Sequence, residues 1–96
     1  ILGEFVLYQN YPNPFNPSTV INYHLPKASN VKLKIYDVLG NEIATLVDEY
    51  KPSGSYEVEF NSARHSREGG NLTSGIYFYQ LKAGDFVQIR KMILIK

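Results

Sequence analysis

The stretch "NVKLKIYDV", residues 30 to 38, constrains the fold more than any other, because its side chains alternate strictly between polar and apolar from Asn30 to Ile35. Val31, Leu33, Ile35 and Asp37 fall on one side, and Lys32, Lys34 and Tyr36 on the other. A repeat of two marks an extended chain with one buried face, whereas a helix repeats every 3.6 residues. The same grammar recurs along the chain. "TVINYHL" runs from Thr19 and stops at Pro26, and in "YEVEF" Tyr56, Val58 and Phe60 alternate with Glu57 and Glu59. "FVLYQ" at residues 5 to 9 supplies a first strand, and "EIATLVDEY" is the least regular candidate, with a helical turn as its competitor. "IYFYQL" is apolar on both sides, as a central strand covered on both faces would be. In "FVQIRKMILIK", Val87 and Ile89 point one way, and Met92 and Leu94 point the other unless a bulge near Arg90 and Lys91 resets the phase.

Turn chemistry separates these runs. Gly40 and Asn41 in "DVLGNE" tolerate positive φ, and "KPSGS" and "AGD" supply further turns. Residues 61 to 75, "NSARHSREGGNLTSG", hold almost nothing large and apolar, and are expected to form a long mobile loop. Seven short strands at spacings of ~8 to ~15 residues predict an all-β, immunoglobulin-like antiparallel β-sandwich. The cysteine pair and tryptophan of true immunoglobulin domains are absent, so only the architecture is expected.

Size and charge narrow the function. A 96-residue chain with 44% hydrophobic residues suits one domain spanning residues 1–96, in which residues 5–18 form the first strand and a rim loop and residues 19–96 the rest of the sandwich. A chain of this length buries about 60% to 70% of its unfolded surface, enough for one core. The formal charge of +1 gives no field to attract nucleic acid or an acidic membrane, and no run approaches the length of a membrane-spanning helix. Without cysteine there is no disulfide, thiolate catalysis or zinc ribbon. The start, Ile1-Leu2-Gly3-Glu4, carries no export signal and reads as a piece of a longer protein.

Catalytic chemistry is scarce. His24 and His65 have no second ligand at metal-binding spacing and are expected at the surface, so neither a metal nor another cofactor is predicted. Glu57 and Glu59 lie about 6 to 7 Å apart along one strand face, a spacing usable by paired carboxylates, yet alternation explains them as the solvated side of a strand. No Ser-His-Asp order, P-loop or dinucleotide fingerprint occurs, and the chain is not expected to be an enzyme. Eight tyrosines raise an alternative, a carbohydrate-binding or structural immunoglobulin-like accessory module of a secreted enzyme, with an aromatic platform built from "GIYFYQL" and "IYDV". Tyr77 and Tyr79 share one face of their strand and Ile76 and Phe78 the other, and core packing of both pairs is expected. Asn71-Leu72-Thr73 matches the N-glycosylation pattern.

The segment "QNYPNPFNPST" places Pro12, Pro14 and Pro17 within six positions. Each proline fixes its own φ and pushes its predecessor out of the α region, so the segment has little entropy left to lose. With Phe15 as its only large apolar plug, it is expected to be a rigid rim loop clamping the first strand to the second.

Taken in order, "LYQNYPNPFNPSTVINYHLP", "VKLKIYDVLGNEIATLV", "GSYEVEF", "SGIYFYQLKAG" and "RKMILIK" resemble the type A C-terminal sorting domain of the type IX (Por) secretion system over nearly the whole chain. The resemblance implies a non-catalytic β-sandwich at the end of a larger exported cargo protein. An N-terminal signal takes such a cargo across the inner membrane, and the sorting domain addresses it to the outer-membrane translocon. A surface sortase then removes the domain and anchors the cargo to lipopolysaccharide or releases it. The implied partners are translocon and sortase proteins, and the implied destination is the surface or surroundings of a Gram-negative bacterium; neither nucleic acid nor direct membrane insertion is implied. Residue by residue, Asn13, Pro14, Phe15, Asn16 and Pro17 match the proline-rich segment, and Gly40, Gly54 and Gly75 match turn positions. Arg90, Lys91, Met92, Ile93, Leu94, Ile95 and Lys96 match the terminal strand on which recognition depends. The stretch "FNSARHSREGGNLTSG" departs from the family, which shows an aromatic residue and an aspartate-glycine turn there. A related module of flagellar-hook capping proteins shares the "IYDVLG"- and "SGIYFY"-type blocks but lacks the lysine-rich end.

Overall fold

A computed structural model describes residues 3–63 and 72–95. Within them the chain forms β1 (Val6–Leu7), β2 (Ser18–Leu25), β3 (Ser29–Tyr36), β4 (Glu42–Lys51), β5 (Gly54–Asn61), β6 (Gly75–Ala83) and β7 (Phe86–Leu94). They make two antiparallel sheets, ordered β1-β2-β5 and β4-β3-β6-β7. The immunoglobulin-like sandwich expected from alternation is therefore the observed architecture.

The core is built from the inward parity of each strand. Ile21, Tyr23 and Leu25 of β2 and Phe60 of β5 meet Val31, Leu33 and Ile35 of β3, Tyr79 and Leu81 of β6, and Met92 and Leu94 of β7. Asp37 does not continue the buried face of β3. Its carboxylate accepts the Leu39 and Asn41 amides at 2.9 Å each and shapes the turn in which Gly40 takes a φ of +87°. An L-side chain rarely adopts that backbone, which is why glycine stands there.

Residues 42–51 form a strand, not a helical turn, and the pairing explains their irregular pattern. Leu33 pairs with Val47 but Lys34 with Thr45, and Ile35 pairs with Ala44 but Tyr36 with Glu42. Leu46 and Ile43 are thus extra residues in two bulges, and both pack against the core. Each bulge turns the strand by one position, so Ile43, Ala44, Leu46 and Val47 all reach inward at a spacing that imitates a helix.

β7 needs no such correction. Its ladder with β6 runs unbroken from Ala83–Phe86 to Gly75–Leu94, so the bulge considered near Arg90 and Lys91 is absent. Val87 and Ile89 simply face outward while Met92 and Leu94 face inward. The Gly84-Asp85 connection is a two-residue hairpin turn with Gly84 at φ +60°, in the first central position that favours glycine.

Two expectations for β6 are corrected. It is central in its sheet, but its outer face is not covered, and Ile76 is 41% exposed. Tyr77 and Tyr79 are core, whereas Phe78 lies half-buried on the outer face. Among the described residues no third layer lies over the four-stranded sheet, so only one of its faces is dry. The expected loop at 61–75 is shorter at both ends, since Asn61 closes β5 and Gly75 opens β6. Ser62 is buried, its amide donating to the Pro17 carbonyl at 2.9 Å, and Leu72 packs on the core. The expected mobility, His65 and the Asn71 glycosylation position fall on residues 64–71, outside those described.

Candidate functional site

The proline-rich segment and the terminal strand form one structure. Tyr11 exchanges two backbone hydrogen bonds with Val20, at 3.0 and 2.9 Å, which extends the pairing begun by β1. Four residues later the chain has crossed to the other sheet. The Phe15 amide donates to Ile93 O and the Ile95 amide donates to Phe15 O, each at 2.9 Å, as a parallel bridge onto β7. Asn13 adds a third tie, its Oδ1 accepting the Ile93 amide at 2.9 Å. The segment therefore links β2 to β7, so the expectation that it clamps the first strand to the second is only part of its role. All three of its X–Pro peptide bonds are cis.

Phe15 is the plug. Only 2% exposed, it meets the Phe60 ring edge-on with centroids 6.1 Å apart. Asn13, Pro14, Asn16 and Pro17 around it are exposed, so one side chain carries the burial for the segment. A second anchor was not foreseen in the sequence. Asn10 is buried, its amide donating to the Tyr79 hydroxyl at 2.8 Å while that hydroxyl donates to Tyr8 O at 2.7 Å. The Asn10 side chain donates to Thr19 Oγ1 at 2.9 Å, and Thr19 Oγ1 donates to Pro12 O at 2.8 Å. Burial pushes the Tyr79 hydroxyl up to about 12, against the opposing pull of the Asn10 amide and the Arg90 charge. The inward parity of Tyr79 on β6 was the only available signal that its hydroxyl must find a partner.

The terminal strand divides its residues by parity. Met92 and Leu94 are core, whereas Lys91 and Ile95 are exposed and Ile93 is half-buried. Arg90 reaches inward across the open side of the sandwich, Nε donating to Leu7 O at 2.6 Å, and so ties β7 to β1. Gln9 Nε2 donates to Lys91 O at 2.8 Å, which makes a further link between the N-terminal segment and β7. Lys96 lies outside the described residues. Gly54 and Gly75, each at φ +149°, open β5 and β6; Gly75 pairs with Leu94 of β7, whereas Gly54 lies in the other sheet.

The remaining polar candidates are scattered. His24 is not a surface residue: it is 8% exposed in the middle strand of its sheet, with Nδ1 2.9 Å from Ser55 Oγ. Neighbouring strands on both sides bury what an isolated alternation count left open. Glu57 and Glu59 are exposed on the outer face of β5, as alternation predicted. Among the described residues no three His, Cys, Asp or Glu side chains converge as metal ligands. Tyr23, Tyr77 and Tyr79 are buried, which removes them from any aromatic platform, while Tyr8 and Tyr11 are exposed on the segment between β1 and β2 and Tyr50 on β4.

Comparison with known proteins agrees with this geometry. The model of the secretion system C-terminal sorting domain matches residues 9–96. Among solved structures, dimeric latent PorU from Porphyromonas gingivalis superposes with a TM-score of 0.71 at 19% identity, over 96% of this chain and 9% of that one. PorZ, a surface component of the type IX secretion system of the same organism, superposes with a TM-score of 0.62 at 21% identity, over 99% of this chain and 12% of that one. This chain thus spans about a tenth of the length of either protein, and at such identities the likeness is one of fold. No curated protein matches the sequence. From the family match, its ordered motifs and the observed sandwich, the chain belongs to the secretion system C-terminal sorting domain family, the type IX sorting tails of proteins exported to the surface or surroundings of Gram-negative bacteria.

Proposed function

We propose that residues 1–96 act as a single C-terminal address, a non-catalytic domain that directs an attached cargo to the type IX translocon and then to a surface sortase, which anchors or releases the cargo. The segment Arg90 to Lys96 is the part read, and its outward residues make the contacts. The observation that supports this reading most is the split of β7: Met92 and Leu94 fix the strand in the core while Lys91 and Ile95 remain exposed beside it. A strand built this way presents recognition groups in fixed register on a folded scaffold.

Deleting Lys91 to Lys96 confounds recognition with folding, because it removes two core residues. The cleaner test changes outward residues alone. Lys91→Ala combined with Ile95→Ser leaves the core intact, and is expected to keep thermal stability near that of the parent while cutting export of a fused reporter at least tenfold. A stable double variant exported as well as the parent would refute the role given to the terminal strand.

A further inference from the structure

The ladder fixes which backbone groups of β7 look away from β6. Ile93 and Ile95 use their edge groups to pair with Phe15, and Lys91 O accepts from Gln9, so the odd-numbered residues direct N–H and C=O to the free edge. In an antiparallel ladder this assignment alternates residue by residue. Val87 and Ile89 share that parity, and among the described residues no backbone group pairs with them on that side. The hydrogen bonds from the N-terminal segment to the β7 backbone stop at Lys91.

The other edges are protected in familiar ways. β4 carries two bulges, β5 alternates glutamates outward, and β1 has two residues. The stretch Val87–Ile89 has none of these, and its outward side chains are apolar, Val87 being 52% and Ile89 55% exposed. Ile89 also borders an open groove shared with Tyr36, Val38 and Phe78 on the outer face of the same sheet.

Charge on that face is uneven. On the β4 side Lys34 pairs with Glu42 at 3.2 Å and Lys32 stands opposite Asp48. On the β7 side Lys82 stands between Lys32 and Val87, and Lys91 beside Phe78, with no carboxylate within salt-bridge distance of either among the described residues. A second copy paired edge to edge would bring its own Lys82 and Lys91 to the same face and add repulsion. A strand bearing carboxylates would relieve it.

We propose that the β7 edge at Val87–Lys91 takes an extended protein segment that presents on one face an apolar residue with a carboxylate two positions away on either side. The segment adds a strand through the Val87 and Ile89 amides; because side chains two positions apart share a face, its apolar residue sits against Ile89 and the neighbouring groove and its two carboxylates beside Lys91 and Lys82. This surface overlaps the segment assigned to export recognition only at Arg90 and Lys91, and its test does not depend on export.

The experiment follows amide signals of the isotopically labelled chain by nuclear magnetic resonance. The probe is an acetylated heptapeptide with glutamate at its second and sixth positions, valine at its fourth and threonine elsewhere, and the control is its lysine-for-glutamate counterpart. The acidic peptide is expected to bind at least tenfold more tightly than the basic one, with slowed hydrogen exchange at Val87 and Ile89. Ile89→Glu is expected to weaken binding at least tenfold. Val87→Pro, which removes an edge amide but no bond to β6, should do the same without unfolding the chain. Equal binding of the two peptides, no binding, or shifts centred on β4 or β5 would overturn the proposal. So would concentration-dependent protection of Val87 and Ile89 without peptide, since a second copy would then be the occupant.

Discussion

Replacing Phe15 with alanine is the sharpest test of how the proline-rich segment is held. The side chain is 2% exposed and lies against Phe60, next to a backbone that pairs with the end of β7. Truncating a buried phenylalanine loses its transfer free energy and leaves a cavity, together about 3–5 kcal/mol. A domain of this size has a total stability of about 5–15 kcal/mol, so Phe15→Ala removes a large share of it. Urea unfolding should show a midpoint lowered by that amount divided by the slope, with the slope unchanged if the unfolded surface is the same. The control is Tyr11→Ala in the same segment. Its ring is 79% exposed, so the change should stay within about 0.5 kcal/mol. Hydrogen exchange adds a local readout, because the Ile95 amide donates to Phe15 O and the Ile93 amide to Asn13 Oδ1. If Phe15→Ala frees those two amides but leaves the global midpoint unchanged, the segment is a detachable cover and not part of the core, and the reasoning fails.

Tyr79 and Tyr23 should respond oppositely to loss of the hydroxyl. Tyr79→Phe leaves the buried Asn10 amide without its acceptor and should cost about 1–3 kcal/mol by urea titration. Among the described residues the buried Tyr23 hydroxyl has no hydrogen-bond partner, so Tyr23→Phe should be neutral or stabilising, and a loss above about 1 kcal/mol would contradict that description. Burial pushes both hydroxyls up to about 12 from the ordinary tyrosine value of 10.0, so each is neutral in either state below pH 10. Between those values the unfolded chain releases protons that the folded chain keeps. Stability should then fall as pH rises from 10 to 12, by about 1.4 kcal/mol per pH unit for each tyrosine. Tyr23→Phe should remove one tyrosine's share of that slope, which chemical denaturation at stepped pH would measure.

The strands were legible wherever one residue in two turns inward without exception, as in the buried Val31, Leu33 and Ile35 or the half-buried Tyr56 and Val58 with the buried Phe60. Residues 42–51 were less clear because two bulges bring Ile43, Ala44, Leu46 and Val47 to one side, a spacing that a helix would also produce. Phe78 and His24 show a different limit. Whether an outward residue is wet depends on the layers and neighbouring strands around it, and alternation within one strand does not carry that information. At the candidate site, the division of β7 into core and exposed residues was readable from Met92 and Leu94, and so was the plug role of Phe15. The pairing of Phe15 with β7 joins residues some eighty positions apart, and the Asn10–Tyr79 bond nearly seventy. No local pattern encodes such a match.

The central claim is that this fold works as an export address, and it is tested most directly by placing these residues at the C-terminus of a periplasm-directed reporter. Reporter exposed on intact cells would be measured in a strain with a working type IX translocon and in one without it. The account predicts surface or released reporter in the first strain and periplasmic reporter in the second. A stable, folded fusion held in the periplasm of both strains would contradict it.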